Sequence, residues 1–521
     1  MEDLFVSFVD TNKHYSLQDK LDIVPKKETK IFLWENDYSY LGLYLASEKC
    51  VDVVIDVSVK GLDVEIYRLD STLAFIGHAG WYANNRAGVM PKGPKVKVDD
   101  IVTLKNTAKV EGYKCFLVKV ISDKAGNFTA DVNVYINRKL YSNLKIFVTV
   151  CSLTMPKPQD YDFTVEYWHH PYNVAEYYKV EPWSNEHLEI LKEHQTLYNQ
   201  LGGKGVICSM LDEVWGGQTY SENSIRYPSM IKWIYSKGKW QFDYTNFDKW
   251  VDLNISIGLD DKFICYSMMP WGNKMRYYNK DKDKYINRTV PTAFRYKYKK
   301  AWTVFLNDFI KHLDSKGIFE KIYIGFDERN NMGMILDFLD TFSNKDGKKF
   351  KISASFNNYI GNRKCLDRID SVSVGLDEIK AHEKEYALIA KERADNNKFT
   401  SLYTACEHFP NSFALSVPAE SYLSIIYALS TGNKGFLRWA YDAWVKEPLE
   451  DTTHWSFQAG DCFLIYPNKQ NKKPQLSFRL LKLDEAVRDA NKLLYLAKKF
   501  NVNNEIAKIL AKSHKNYCYK I

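Results

Sequence analysis

A multidomain chain, with a (β/α)8 TIM-like barrel preceded by an antiparallel β-sandwich, is the fold class predicted by these 521 residues. Two observations predict it. From residue 30 to about residue 170, short alternating or β-branched runs are separated by turn residues, with few helical patterns between them. That rhythm belongs to an all-β sandwich. From residue 184 to 445, helical and strand-like segments alternate instead, which calls for a parallel sheet or a closed barrel. Length agrees, because a barrel takes about 250 residues and leaves room for a second domain.

The sandwich strands are expected at KIFLWEN (30–36), VDVVIDVSV (51–59), LDVEIYRL (62–69), YKCFLVKVI (113–121), ADVNVYIN (130–137) and LKIFVTVCSL (144–153). Met155-Pro156-Lys157-Pro158 breaks the pattern. The domains are therefore drawn as 1–165 and 166–521. Asn185–Gln200 has helical periodicity, with Ser184 placed to cap it and Gly202-Gly203 to end it. Seven barrel strands come next: GVICSML (205–211), KFICYSM (262–268), KIYIGF (321–326), KISASF (351–356), DSVSVG (370–375), TSLYTAC (400–406) and GFLRWA (435–440). Helices such as AWTVFLNDFIKHLDSKG (301–317) lie between them. An eighth strand has no evident place. Residues 450–521 add a short strand, CFLIYP (462–467), and helical material from Asp484 onward.

Apolar residues at 45% and charged residues at 26% are ordinary for a globular chain. The 13 Trp, 36 Tyr and 28 Phe, 15% of the total, suit β-structure or surfaces that stack on sugars. The net charge of +8 has its densest runs at Arg295–Lys300 and Lys345–Lys351, which read as solvated faces rather than a nucleic-acid stripe. Nine scattered cysteines form no CxxC or Cys/His ligand pattern, so neither a metal site nor a disulfide framework is expected. No run of 18 apolar residues occurs, and no membrane insertion is expected. The opening MEDLFVSFVDTNKHY lacks a basic n-region. The expected address is cytoplasmic, or secreted if a leader has been removed.

In a barrel, the chemistry sits at the C-terminal ends of the strands. The adjacent acids Asp327-Glu328, where KIYIGF ends, are the sharpest feature there. Like charges raise one another's pKa, so one carboxyl of a pair can stay protonated and donate to a leaving oxygen. Neighbours on an extended strand point to opposite sides, so both can face a pocket only where the strand yields to a loop. On local sequence alone, acids decorating a helix N-terminus remain the plainer reading. Trp215, Trp271, Trp439 and Trp444 also fall at or just after expected strand ends, where indoles could stack on sugar faces. His169-His170 and Glu407-His408 lack spaced ligand partners and read as structural.

These features occur within WHHPYNVAEYY (168–178), WGGQTY (215–220), YPSMIKW (227–233), CYSMMPW (265–271), GFDERN (325–330), PNSFALSVPAE (410–420), GFLRWAYDAW (435–444) and AGDCFLIYP (459–467). In their order and spacing the chain resembles glycoside hydrolase family 123, the β-N-acetylgalactosaminidases. SFRLLKLDEAVRDA (477–490) matches more loosely, with Ala486 where Gly is expected. The resemblance implies an exo-acting enzyme that removes terminal β-linked N-acetylgalactosamine from oligosaccharides or glycolipid glycans. It implies a retaining, substrate-assisted mechanism, in which the 2-acetamido oxygen is the nucleophile. Glu328 would then be the general acid and base, and Asp327 would hold the acetamido N–H. Asn357 and Tyr359 become candidates for the acetamido group, and Gln218 and Tyr220 for hydroxyls. Trp439 and Trp444 become a sugar platform, with Tyr441 in the same binding set. No metal or organic cofactor is implied. A retaining glycosidase with its own nucleophile and a non-catalytic carbohydrate-binding protein are the rival readings. Retention of both acids counts against the second.

Overall fold

The computed structural model describes residues 4–77, 90–211, 228–270, 274–289, 296–329, 332–406, 408–502 and 504–510. Strands β1 (Leu4–Val9), β2 (Glu28–Glu35), β3 (Asp37–Ser58), β4 (Asp63–Phe75), β5 (Lys95–Leu104), β6 (Thr107–Ser122), β7 (Gly126–Ile136) and β8 (Lys139–Thr154) form the N-terminal sheet. Their order is β2-β8-β7-β3-β6-β4-β5, with β1 paired to β3. Every pairing is antiparallel except that of the edge strand β2 with β8. The 22-residue β3 breaks register between Ser47 and Val51; it pairs with β6 on both sides of the break, with β1 before it and with β7 after it. Alternating apolar residues of this sheet, among them Leu43, Leu45, Val53, Phe116, Val132 and Val148, bury a common core.

All six expected sandwich strands fall on observed ones, four of them running one residue past an end, whereas β1 and β5 were not expected. Strand β5 hid because Asp99-Asp100 interrupts its apolar run. Both acids are buried. Ser71 donates to Asp99 at 2.6 Å, and Arg479 of the helix Phe478–Phe500 donates to Asp100 at 2.9 Å. Arg488 of the same helix donates to Asp37 at 2.6 Å. This helix therefore packs against the sandwich through buried ion pairs. Unpairing any one of them would leave a costly buried charge.

The barrel consists of β9 (Thr164–Tyr167), β10 (Gly205–Ser209), β11 (Lys262–Tyr266), β12 (Ile322–Asp327), β13 (Lys351–Phe356), β14 (Ser371–Gly375), β15 (Phe399–Tyr403) and β16 (Gly435–Arg438). The strands are parallel in the order β10 to β16, followed by β9. The barrel closes where the Val165 N–H donates to Gly202 and the Lys204 N–H to Val165, both at 3.1 Å. Each of the seven expected strands is present. The missing eighth is β9, which spans the division drawn at residues 165 and 166. Only four residues long, it carries Glu166, whose carboxylate is paired inside the barrel with Lys262 at 2.7 Å. A charge in so short a run masks the strand pattern.

A four-stranded sheet, not expected from the sequence, is inserted after β10 and β11. Its strands are Lys232–Ser236, Lys239–Asp243, Lys274–Asn279 and Lys284–Thr289. It stands at the end of the barrel where the site lies.

Candidate active site

The barrel lumen is one cluster of inward side chains: Trp168, Ile207, Ile264, Tyr266, Tyr403 and Leu437, with Tyr323 and Trp439 against it. Alternation along β12 sends Tyr323, Gly325 and Asp327 inward. Gly325 is required by close approach, since a Cβ there would meet Tyr266 ring carbons at 2.9 Å. Without it the Tyr266 ring could not lie across β12 beneath the catalytic end. Burial and then the charges of Glu166 and Asp327 hold the Tyr266 phenol well above its usual range, while Ser355 hydrogen-bonds to it.

Glu328 is the first residue beyond β12, and its φ of 49° lies in the left-handed region. For a residue with a side chain this costs on the order of 1 kcal/mol or more, and it persists only where the surroundings impose it. Here the Glu328 N–H donates to Ser355 at 3.0 Å on the neighbouring strand. The turn stops the alternation that would send Glu328 outward, and leaves it close enough for the Asp327 charge to act on it. Burial first, and the Asp327 charge second, raise the Glu328 pKa above the ordinary value. Two groups oppose the rise: Tyr403 donates its phenol to Glu328 Oε1, and the Arg329 guanidinium lies nearby. Arg329 is anchored by its Nε, which donates to Met269 at 3.0 Å.

A second buried network fixes the end of β16, on the side of the barrel opposite β12. Arg438, the last residue of β16, donates to Asp461 at 2.7 Å, with both side chains fully buried. Arg438 also donates to the Thr404 carbonyl and hydroxyl. The Trp439 indole N–H donates to the same Asp461 oxygen at 3.0 Å, and its ring packs against Phe457. Trp439 is half-buried at a strand end. Asn357 is exposed just past β13, continuing the alternation of Ser353 and Ser355.

Three expected binding residues lie instead in the packed shell. Tyr359 is fully buried against Tyr386. Tyr441 is fully buried and stacked on Tyr167, with His169 at its edge. Trp444 is 2% exposed, wedged between Tyr177, Tyr178 and His194, and its indole N–H donates to Ile465. All three lie beyond strand ends, but the chain turns there and points them outward into helix packing. Trp215, Gln218, Tyr220, Trp271 and Glu407 lie outside the described residues.

His169 and His170 are buried, and burial pushes their imidazoles down to about 3 and about 4. The His170 N–H donates to Asp442 at 2.7 Å, which ties β9 to the chain beyond β16. Among the described residues, no group of His, Cys, Asp and Glu is arranged to hold a metal. Tyr403, Arg329, Tyr266, Arg438 and Asp461 were missed as site residues. Tyr403 and Arg438 are the last residues of their strands, so a search confined to the loop after each strand passes over them.

Glycoside hydrolase 123, catalytic domain, matches residues 168–496. Among solved structures, a family 123 glycoside hydrolase from Clostridium perfringens, studied for glycolipid glycan hydrolysis, is 30% identical. That similarity covers 97% of this chain and 91% of that one, with a TM-score of 0.89. A family 39 glycoside hydrolase from Bacteroides cellulosilyticus is 9% identical over 90% of this chain and 81% of its own, at a TM-score of 0.39. No curated protein sequence matches the chain. The match over most of the barrel, together with identity and coverage across both domains, makes this chain a member of glycoside hydrolase family 123.

Proposed function

We propose that the protein is an exo-acting retaining hydrolase that removes terminal β-linked N-acetylgalactosamine from oligosaccharides or glycolipid glycans. The observation that carries this reading is the left-handed turn at Glu328, which keeps two consecutive carboxylates within reach of one another's charge and leaves one with a raised pKa. A protein nucleophile and its acid flank the scissile bond, whereas sequence neighbours at one strand end approach the sugar from the same side. The substrate's acetamido oxygen is then the nucleophile. It attacks the anomeric carbon as the glycosidic C–O bond breaks and Glu328 gives its proton to the leaving oxygen. Asp327 accepts the acetamido N–H and balances the positive charge of the oxazolinium ring. Water next attacks the same carbon, its proton returns to Glu328, and the ring opens to the free sugar. Trp439 supplies the platform. The glycolipid class is supported by the Clostridium perfringens relative.

An aryl β-galactoside bearing the 2-acetamido group should be cleaved at least about 10²-fold faster, in kcat/KM, than its 2-hydroxy counterpart, since a positioned internal nucleophile supplies much of the acceleration. Equal turnover of the two would move the mechanism to a protein nucleophile.

The pH profile is set by Glu328. The acid works protonated, so kcat/KM falls as pH rises through its pKa, which burial and Asp327 have raised. Tyr403 favours the ionised carboxylate by donating to it. Tyr403→Phe should therefore move the alkaline limb to higher pH, and lower kcat at the optimum by no more than about tenfold. A limb that stays in place or moves to lower pH would detach Tyr403 from the acid.

A further inference from the structure

We infer that the inserted four-stranded sheet is a docking face for an anionic lipid bilayer, which holds the open end of the barrel against membrane-borne substrate. The inference rests on the proposed glycolipid activity.

The sheet grows from the chain after β10 and β11, hence at the catalytic end. Its inner face is fixed: Trp233 donates its indole N–H to Met210 at 2.7 Å and packs on Trp302 and Phe305 of the helix Tyr296–Lys316. Cross-strand register assigns the other face. Ile234 pairs with Tyr278, and Tyr278 with Tyr285, so Lys232, Arg276, Tyr278 and Tyr285 share that side. They form a connected surface cluster. Lys232 lies 4.9 Å over the Tyr278 ring, Arg276 4.5 Å over Tyr285, and the two rings are 5.4 Å apart. Tyr285 is 41% exposed.

The segments 232–243 and 275–289 hold eight Lys and Arg against three Asp, in a chain whose net charge is +8. The acids are turned to local use. Asp281 accepts from Ser236 and the Lys237 N–H, Asp283 from Tyr278, and Asp243 from Thr245. A flat face with cations around half-exposed tyrosines matches the headgroup layer, where phenols sit at the interface and Lys and Arg meet anionic lipid. Among the described residues no helix is long and apolar enough to cross a membrane.

The test is co-sedimentation with phosphatidylcholine vesicles and with vesicles containing about one-third phosphatidylserine, beside turnover of a soluble aryl 2-acetamido galactoside. The expected result is binding to the anionic vesicles only, reversed by salt, and reduced at least about tenfold in Lys232→Glu/Arg276→Glu. Soluble turnover should be unchanged. Lys282→Glu/Lys284→Glu, at the exposed hairpin, tests the same charge should the first pair fail to fold. Equal binding to both vesicle types, or full binding by folded variants, would overturn the inference. So would an equal loss of turnover on a soluble sialylated oligosaccharide, because the face would then be reading the sugar's own carboxylate. Wild-type vesicle binding without turnover of any aryl glycoside would sink the functional reading and leave the docking face standing.

Discussion

Glu328→Gln should lower kcat by about 10² to 10⁴-fold on a substrate whose leaving group is an ordinary sugar hydroxyl, the usual contribution of a positioned general acid. Gln keeps the size of the side chain and can still accept from Tyr403, so folding should be preserved and a thermal melt should move little. The loss is that of a carboxyl proton whose pKa burial and Asp327 raise. Its size should depend on the leaving group. An aryl group that departs as a stable phenolate needs little protonation, so its first step should be spared and water activation should become limiting. A burst of phenol and then slow turnover is the expected time course. A rate unchanged for every substrate would remove Glu328 from the mechanism.

A buried route links the sandwich to the wall of the site. Arg479 takes its partner, Asp100, from the sandwich, and donates its Nη1 to the carbonyls of Ser412 and Gly460 at 2.7 Å. Gly460 adjoins Asp461, which orients Arg438 and the Trp439 indole. A sandwich carboxylate is thus two hydrogen-bonded steps from the loop that sets the proposed platform. Through this route the sandwich helps to fix the loop that holds Trp439. It also explains why matched sequence extends past the last barrel strand to residue 496, since the helix that carries Arg479 belongs to the same unit.

Most of the barrel was legible because buried parallel strands read as short apolar runs bounded by turns. Two of the strands that escaped are interrupted by charge: Glu166 in β9 and Asp99-Asp100 in β5 make buried ion pairs or hydrogen bonds that no local pattern reveals. In the site, the acidic pair was legible as composition at a strand end, and the need for a break in the strand was legible with it. The left-handed φ of Glu328 is that break. The aromatic residues divided differently. Trp439 stays at the rim, whereas Tyr441 and Trp444, two and five residues further on, are buried behind the wall. A strand end fixes where a residue stands along the barrel axis. Which side of the wall it faces depends on turn geometry and distant partners such as Ile465, which sequence spacing does not encode.

Asp327→Asn should cost about 10² to 10³-fold in kcat, comparable to removing one preorganised group that faces developing charge. Its signature should differ from that of Glu328→Gln. Asp327 is assigned to the acetamido group and to the cationic ring, both formed whatever the leaving group, so the loss should be nearly equal for aryl and sugar leaving groups. An uncharged Asn also removes the like charge that helps raise the Glu328 pKa. The residual activity should therefore lose its alkaline limb at lower pH than the wild type, opposite to the shift expected for Tyr403→Phe. Binding of a thiazoline that mimics the oxazolinium ring should weaken in parallel with kcat, because the lost contact is made to the intermediate. Added azide separates this from the rival mechanism. If Asp327 were itself the nucleophile, azide could take its place and yield the glycosyl azide of inverted configuration. With the acetamido oxygen as nucleophile, no inverted azide should form, and its appearance would assign the covalent step to Asp327.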